Sequence, residues 1–177
     1  MVAAAGAGAG VLGPAVASYT AALLADTAVP AWHAGYPDLP FVFGGSAMAA
    51  GGGMGLLASG DVTPARRVAV AGAAVELAAT ALLERRVGYA RTAYTEGRPG
   101  TLLRAARAAT VVGAIAAFGG GLVRGRRGRM LSITAGALLN AGSAATRFGV
   151  FDAGLVSARE PAYTVVPQRE RLRARGA

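Results

Sequence analysis

FVFGGSAMAAGGGMGLLAS, residues 41–59, is a run of 19 residues without a single charge. An α-helix rises about 1.5 Å per residue, so the run is about 28 Å long, close to the ~30 Å hydrocarbon of a bilayer. Four more segments read the same way: 3–25, 68–83, 108–123 and 130–150. The third and fourth of the five are short and need their flanking Arg side chains to snorkel to the interface. The expected fold is therefore all-α: an integral membrane helical bundle of about five transmembrane helices over residues 1–151, followed by an Arg-rich cytoplasmic tail, 152–177, extended over a surface. The first segment has no basic residue ahead of it and outruns a signal-peptide core, so it reads as a retained span.

Composition agrees. The 177 residues are 54% hydrophobic, with 27 Gly and only 15% charged. A water-soluble domain averages about 45–50% apolar with Gly included. Disorder is excluded by the sparse charge. With no Cys, the chain can offer neither a disulfide, nor a Cys-ligated zinc or iron–sulfur centre, nor a thiol nucleophile. Its one His makes no metal or haem site alone, so no metal and no covalently bound cofactor is expected here. No nucleic-acid partner is expected either.

Prolines punctuate the loops: Val29-Pro30 and Leu39-Pro40 bracket the first, Thr63-Pro64 sits in the second, and Arg98-Pro99-Gly100 marks the third. The third loop, Glu84 to Arg107, has room for a short interfacial helix with Tyr89 and Tyr94 at headgroup level. All 18 basic residues are Arg. One side, formed by the first and third loops and the tail, carries 12 of them with Arg147 counted, and the other carries 6. Cytoplasmic loops accumulate Arg, so the C-terminus is placed inside and the N-terminus outside.

The glycine clusters Gly44-Gly45 and Gly51-Gly52-Gly53 are no phosphate loop, because no strand precedes them and no Lys-Ser/Thr follows. The pairs Gly6/Gly10, Gly51/Gly55 and Gly121/Gly125 have the spacing that lets lipid-embedded helices approach. Glu76 lies near the middle of the third span, where a carboxylate costs roughly 2.5–3.5 kcal/mol and must face protein or water. It is either a proton-relay acid, a ligand to a bound headgroup, or a structural carboxyl between helices. Asn140, Ser143, Thr146 and Arg147 share one helical stripe, which points away from lipid; Arg147 either pairs with Glu76, lines a cavity, or snorkels. The first loop gathers the only Trp and the only His, Trp32 and His33, without any Arg. An imidazole there could exchange protons with a quinone oxygen, while Trp and Tyr are also ordinary interface anchors.

The run Ser18-Tyr19-Thr20 through Asp26-Thr27-Ala28-Val29-Pro30-Ala31-Trp32-His33, with Leu39-Pro40-Phe41-Val42-Phe43-Gly44-Gly45-Ser46-Ala47, resembles the NrfD/polysulfide-reductase membrane-subunit family, particularly its actinobacterial members. Further matches are Ala73 to Leu77 with Glu84-Arg85-Arg86, Ala141 to Phe148, and Tyr163-Thr164-Val165-Val166-Pro167-Gln168-Arg169. The resemblance implies a quinone-reactive membrane anchor in a complex with an iron–sulfur electron-transfer subunit and a molybdopterin catalytic subunit. Family members carry three further helices ahead of the matching segment, so the five spans correspond to helices four to eight and the chain reads as a truncated member with an incomplete quinone site. On that reading Glu76 and His33 are candidate proton-relay groups, and Asp26, Trp32 and Arg147 candidate contacts to the cofactor. The competing expectation is a non-enzymatic membrane scaffold that binds anionic lipid or a partner protein through its Arg-rich loops.

Overall fold

A computed structural model describes residues 12–13, 16, 19–58 and 60–175. Among these residues every regular element is helical: α1 over 19–25, α2 Pro30–Ala34, α3 Leu39–Leu57, α4 Thr63–Arg86, a 3₁₀ turn Gly88–Ala90, α5 Arg91–Thr95, α6 Gly97–Leu122, α7 Gly125–Arg159 and α8 Ala162–Arg175. The all-α expectation holds. Two of the eight helices, α3 and α6, are long and apolar enough to cross a membrane. Helices α4 and α7, of 24 and 35 residues, have the length but carry charges along it. The segment expected over 3–25 falls largely outside the described residues, as does the Gly6/Gly10 pair.

The prolines that punctuate the sequence turn out to begin helices. Pro30, Pro40 and Pro64 occupy the first positions of α2, α3 and α4, where the missing N–H has no intrahelical partner to lose. The 68–83 apolar run is consequently only the middle of a helix that starts five residues earlier, and the 108–123 run is the second half of α6. The tail corrects the expectation of an extended segment. Helix α7 continues without a break through residue 152 to Arg159, and α8 follows after Pro161 with no buried residue. Its residues 168–175 are mostly Arg, Gln, Glu, Leu and Ala, all good helix formers, and their propensity outweighs the proline signal.

Helices α3, α4, α6 and α7 pack together with their outward faces apolar. Val68, Val75 and Leu82 recur every seven residues along α4, and Val111, Ile115, Phe118 and Leu122 form one stripe on α6; all are exposed. Inside, most of the buried residues are Ala, Gly, Ser and Thr. Large apolar residues outside and small ones inside invert the pattern of a water-soluble bundle.

The bundle has two apolar clusters, one at each end. Leu39, Val42, Phe43, Leu83, Tyr94 and Val150 belong to the cluster near the third loop. Ala49, Leu56, Ala69, Ala73, Ala117, Ala135 and Leu139 form the other. Between them each of the four helices contributes polar side chains.

Candidate functional site

Ser46 of α3, Glu76 of α4, Thr110 of α6, and Ser143 and Thr146 of α7 are all buried in this middle layer. Glu76 is 3% exposed. It reaches the interior because α3 passes unusually close. A Cβ at Gly45 would lie 2.5 Å from the Glu76 backbone nitrogen, and Gly72 faces Ala49 and Met48 as tightly. Only glycine allows that crossing. The carboxylate then meets hydroxyls: Thr146 Oγ1 donates to Oε1 at 2.7 Å, and Thr110 Oγ1 approaches Oε2 at 3.5 Å. Thr80, one turn along α4, donates to the Glu76 carbonyl at 2.7 Å.

Next to the carboxylate lies a cavity of about 20 Å³, room for roughly one water. Its lining runs from Glu76, Thr110 and Thr146 past Thr80, Leu83 and Tyr94 to Glu84 and Arg107. The last two form an ion pair at the third-loop end. Toward the second-loop end α4 continues from Glu76 into the alanine-rich apolar cluster with Ala73 and Ala69.

The other sequence candidates, Arg147, Trp32, His33 and Asp26, lie in different surroundings. Arg147 belongs to the expected stripe, but its head bonds Ser143 Oγ, the Ser143 carbonyl at 3.1 Å and Ser46 Oγ at 3.5 Å. It also stands 5.8 Å from the Phe43 ring centroid. Ser46 and Ser143 bond each other at 2.9 Å, and the described ion pairs, Asp38–Arg86, Asp152–Arg98 and Glu84–Arg107, include neither Glu76 nor Arg147. Asn140 stays on the stripe and bonds the Ala50 and Gly136 carbonyls.

Trp32 is a wedge. Its indole N–H donates to the Val150 carbonyl at 2.8 Å, its ring lies against Gly154, and Phe151 stacks at 6.0 Å. Next door, His33 is exposed and lines an open cleft of about 530 Å³ with Thr27, Tyr89, Tyr163 and Arg171. Asp26 is exposed at the end of α1 and lines neither cavity.

Ser46, Thr110 and Tyr94 are the site residues that sequence reasoning passed over. The first two were visible as lone hydroxyls inside apolar runs, the same signal that marked Glu76. Tyr94 was expected at headgroup level. Instead it is buried and donates to the Ala31 carbonyl at 2.8 Å, while Tyr89 remains half-exposed against Tyr163, 5.5 Å between centroids. Burial pushes the Tyr94 hydroxyl pKa above its ordinary value.

The chain matches no family model, no curated protein and no solved structure. The cavity at Glu76 admits water and excludes a ring. The cleft at His33 has the volume for a ring headgroup, with the imidazole and the Thr27 hydroxyl available to a carbonyl oxygen.

Proposed function

We propose that the chain is a multi-pass bundle of the bacterial plasma membrane, crossing it with α1, α3, α4, α6 and α7, and that it serves as the membrane-anchor subunit of a quinone-linked oxidoreductase. The observation that carries this reading is the central polar layer: four helices with apolar exteriors enclose a single carboxyl group at mid-depth, beside a cavity that admits a water molecule. A carboxyl in hydrocarbon is expensive, and here it is held by hydroxyls, with no ion pair to it among the described residues and the Arg147 charge standing off on Ser46 and Ser143. It can take up and return a proton without breaking an ion pair. Thr146 and Thr110 orient it, and the water-sized cavity leads toward Glu84 at the third-loop end.

Quinone would supply the electron and proton chemistry. His33 and Thr27 would hold its headgroup in the open cleft, and the exposed Tyr89 and half-buried Tyr163 would wall it. Trp32 and Arg147, named from the sequence for that task, are engaged elsewhere: Trp32 fixes the first loop to α7, and Arg147 bridges α3 to α7. Electrons would pass between the quinone and an iron–sulfur subunit, with a molybdopterin subunit beyond it, as the sequence resemblance implies.

One observation favours the scaffold reading instead. The second apolar cluster follows Glu76 along α4, and the neighbouring cavity holds only about one water, an arrangement that also suits a purely structural carboxyl. Glu76→Gln separates the two, since it keeps size and hydrogen bonding and removes the titrating proton. In the assembled complex, quinol-linked turnover is expected to fall at least about tenfold at unchanged complex abundance. Lower abundance with normal turnover per complex would instead make Glu76 a structural group.

A further inference from the structure

The end of the bundle opposite the third loop is basic in an unusual way. Loops two and four bring six arginines there, Arg66, Arg67, Arg124, Arg126, Arg127 and Arg129, against one carboxylate, Asp61. Asp61 is occupied locally: hydrogen bonds from Thr63, the side chain first and then the backbone N–H, hold its carboxyl below the usual value. The three ion pairs among the described residues all lie at the other end or on its approach.

Arg66 and Arg129 instead turn inward, to helix ends. Arg129 donates to the Leu56, Leu57 and Ala58 carbonyls at 3.0, 2.8 and 2.7 Å, closing the C-terminus of α3. Arg66 lies across Gly121 and donates to the Gly120 carbonyl and Ser132 Oγ, both at 3.3 Å, at the C-terminus of α6. Its Nε–H has no acceptor among the described residues. A helix C-terminus carries only about half a negative charge, so two full guanidinium charges are left partly uncompensated.

Both side chains line one cavity of about 320 Å³, together with Gly60, Val62, Gly120, Val123, Gly128 and Ser132. No carboxylate lines it. The first turn of α7, at its rim, holds no acidic residue and no side-chain cap. A cavity walled by arginine and glycine, with four more exposed arginines on the same two segments, has the chemistry of a phosphate receptor.

We propose that this cavity binds a phosphate ester, the headgroup phosphate of an anionic phospholipid, between loops two and four. Arg66 and Arg129 lie in the wall as its charged donors, and the glycines leave the space. The acyl chains would run down the apolar outer faces of α6 and α7, past Leu122 and Met130, both exposed.

The test is native mass spectrometry of the detergent-purified chain titrated with phosphatidylglycerol, with phosphatidylcholine, and with inorganic phosphate. The chain is expected to retain one phosphatidylglycerol about tenfold more tightly than phosphatidylcholine. Arg129→Gln should abolish that preference and Arg126→Gln, outside the cavity, should keep it. Because Arg129 also caps α3, a second pair avoids removing a structural contact. Gly60 has φ +99° and open space around it, so Gly60→Asn and Gly60→Asp carry the same backbone strain and differ in charge. Gly60→Asp is expected to lose the preference, Gly60→Asn to retain it. Equal retention of the two lipids by the unaltered chain, or equal loss in both Gly60 variants, would overturn the proposal. Binding of inorganic phosphate without lipid preference would keep the anion site and overturn the lipid as its source.

Discussion

Tyr94 and Glu76 are both buried polar side chains, and only one of them was legible. Glu76 declared itself because a carboxyl inside an apolar run has few explanations. Tyr94 lies in a polar loop, where interface anchoring is the commoner fate of a tyrosine, and only the fold shows the five-residue helix α2 delivering a carbonyl to its hydroxyl. Ala31 is pinned twice, by Tyr94 at its carbonyl and by Ser157 Oγ at its N–H, 3.1 Å away. Tyr94→Phe should cost about 1 kcal/mol, a net buried hydrogen bond. The sign of the pH effect follows from the raised pKa. The neutral phenol is favoured in the folded state, so its contribution is complete below about pH 10 and is lost as pH rises above it. Thermal unfolding of the purified chain should therefore show a steeper loss of stability above that pH than Tyr94→Phe shows. Parallel curves would mean that the phenol ionises without unfolding cost.

At the scale of elements, the crossing of α3 and α4 rests on glycines whose register could not be read from spacing. The spacing rule selects Gly51/Gly55; Gly55 does meet Ala65 of α4, yet Gly51 faces open space, and the close backbone contacts come from Gly45 and Gly52, seven residues apart, with Gly72 opposite. In the run Gly51-Gly52-Gly53-Met54-Gly55 several faces carry a glycine, so sequence shows that helices meet there and leaves open which face does. Gly121/Gly125 fares similarly: Gly121 receives the Arg66 side chain, and Gly125, at φ +72°, begins α7. Gly52→Ala and Gly72→Ala place a methyl on opposing backbone and should each destabilise the bundle by about 1–3 kcal/mol. Gly51→Ala should be neutral or stabilise by up to about 1 kcal/mol through helix propensity. Folded yield in detergent across the three variants measures this, and equal behaviour would remove the crossing from the account. The long helices themselves were legible because their apolar cores are long. The ends of α4 and α6 were missed, since both helices begin several residues ahead of their apolar stretch, among arginines.

For the whole molecule, we propose that α4 crosses a membrane although it carries Glu76 and charged ends. By length and apolarity α3 and α6 qualify as spans and α4 does not, since Glu76 and the charges at its ends lower its average. The arrangement in space supplies what the average lacks. Val68, Val75 and Leu82 face outward, and Glu76 faces in. The chain contains no Cys, so single cysteines report position cleanly. Asp61 and Glu96 are exposed residues at opposite ends of α4, in loops two and three. With spheroplasts and a membrane-impermeant maleimide, Asp61→Cys should label from outside, and Glu96→Cys only after the membrane is opened. Labelling of both cysteines from the same side of an intact membrane would contradict the account.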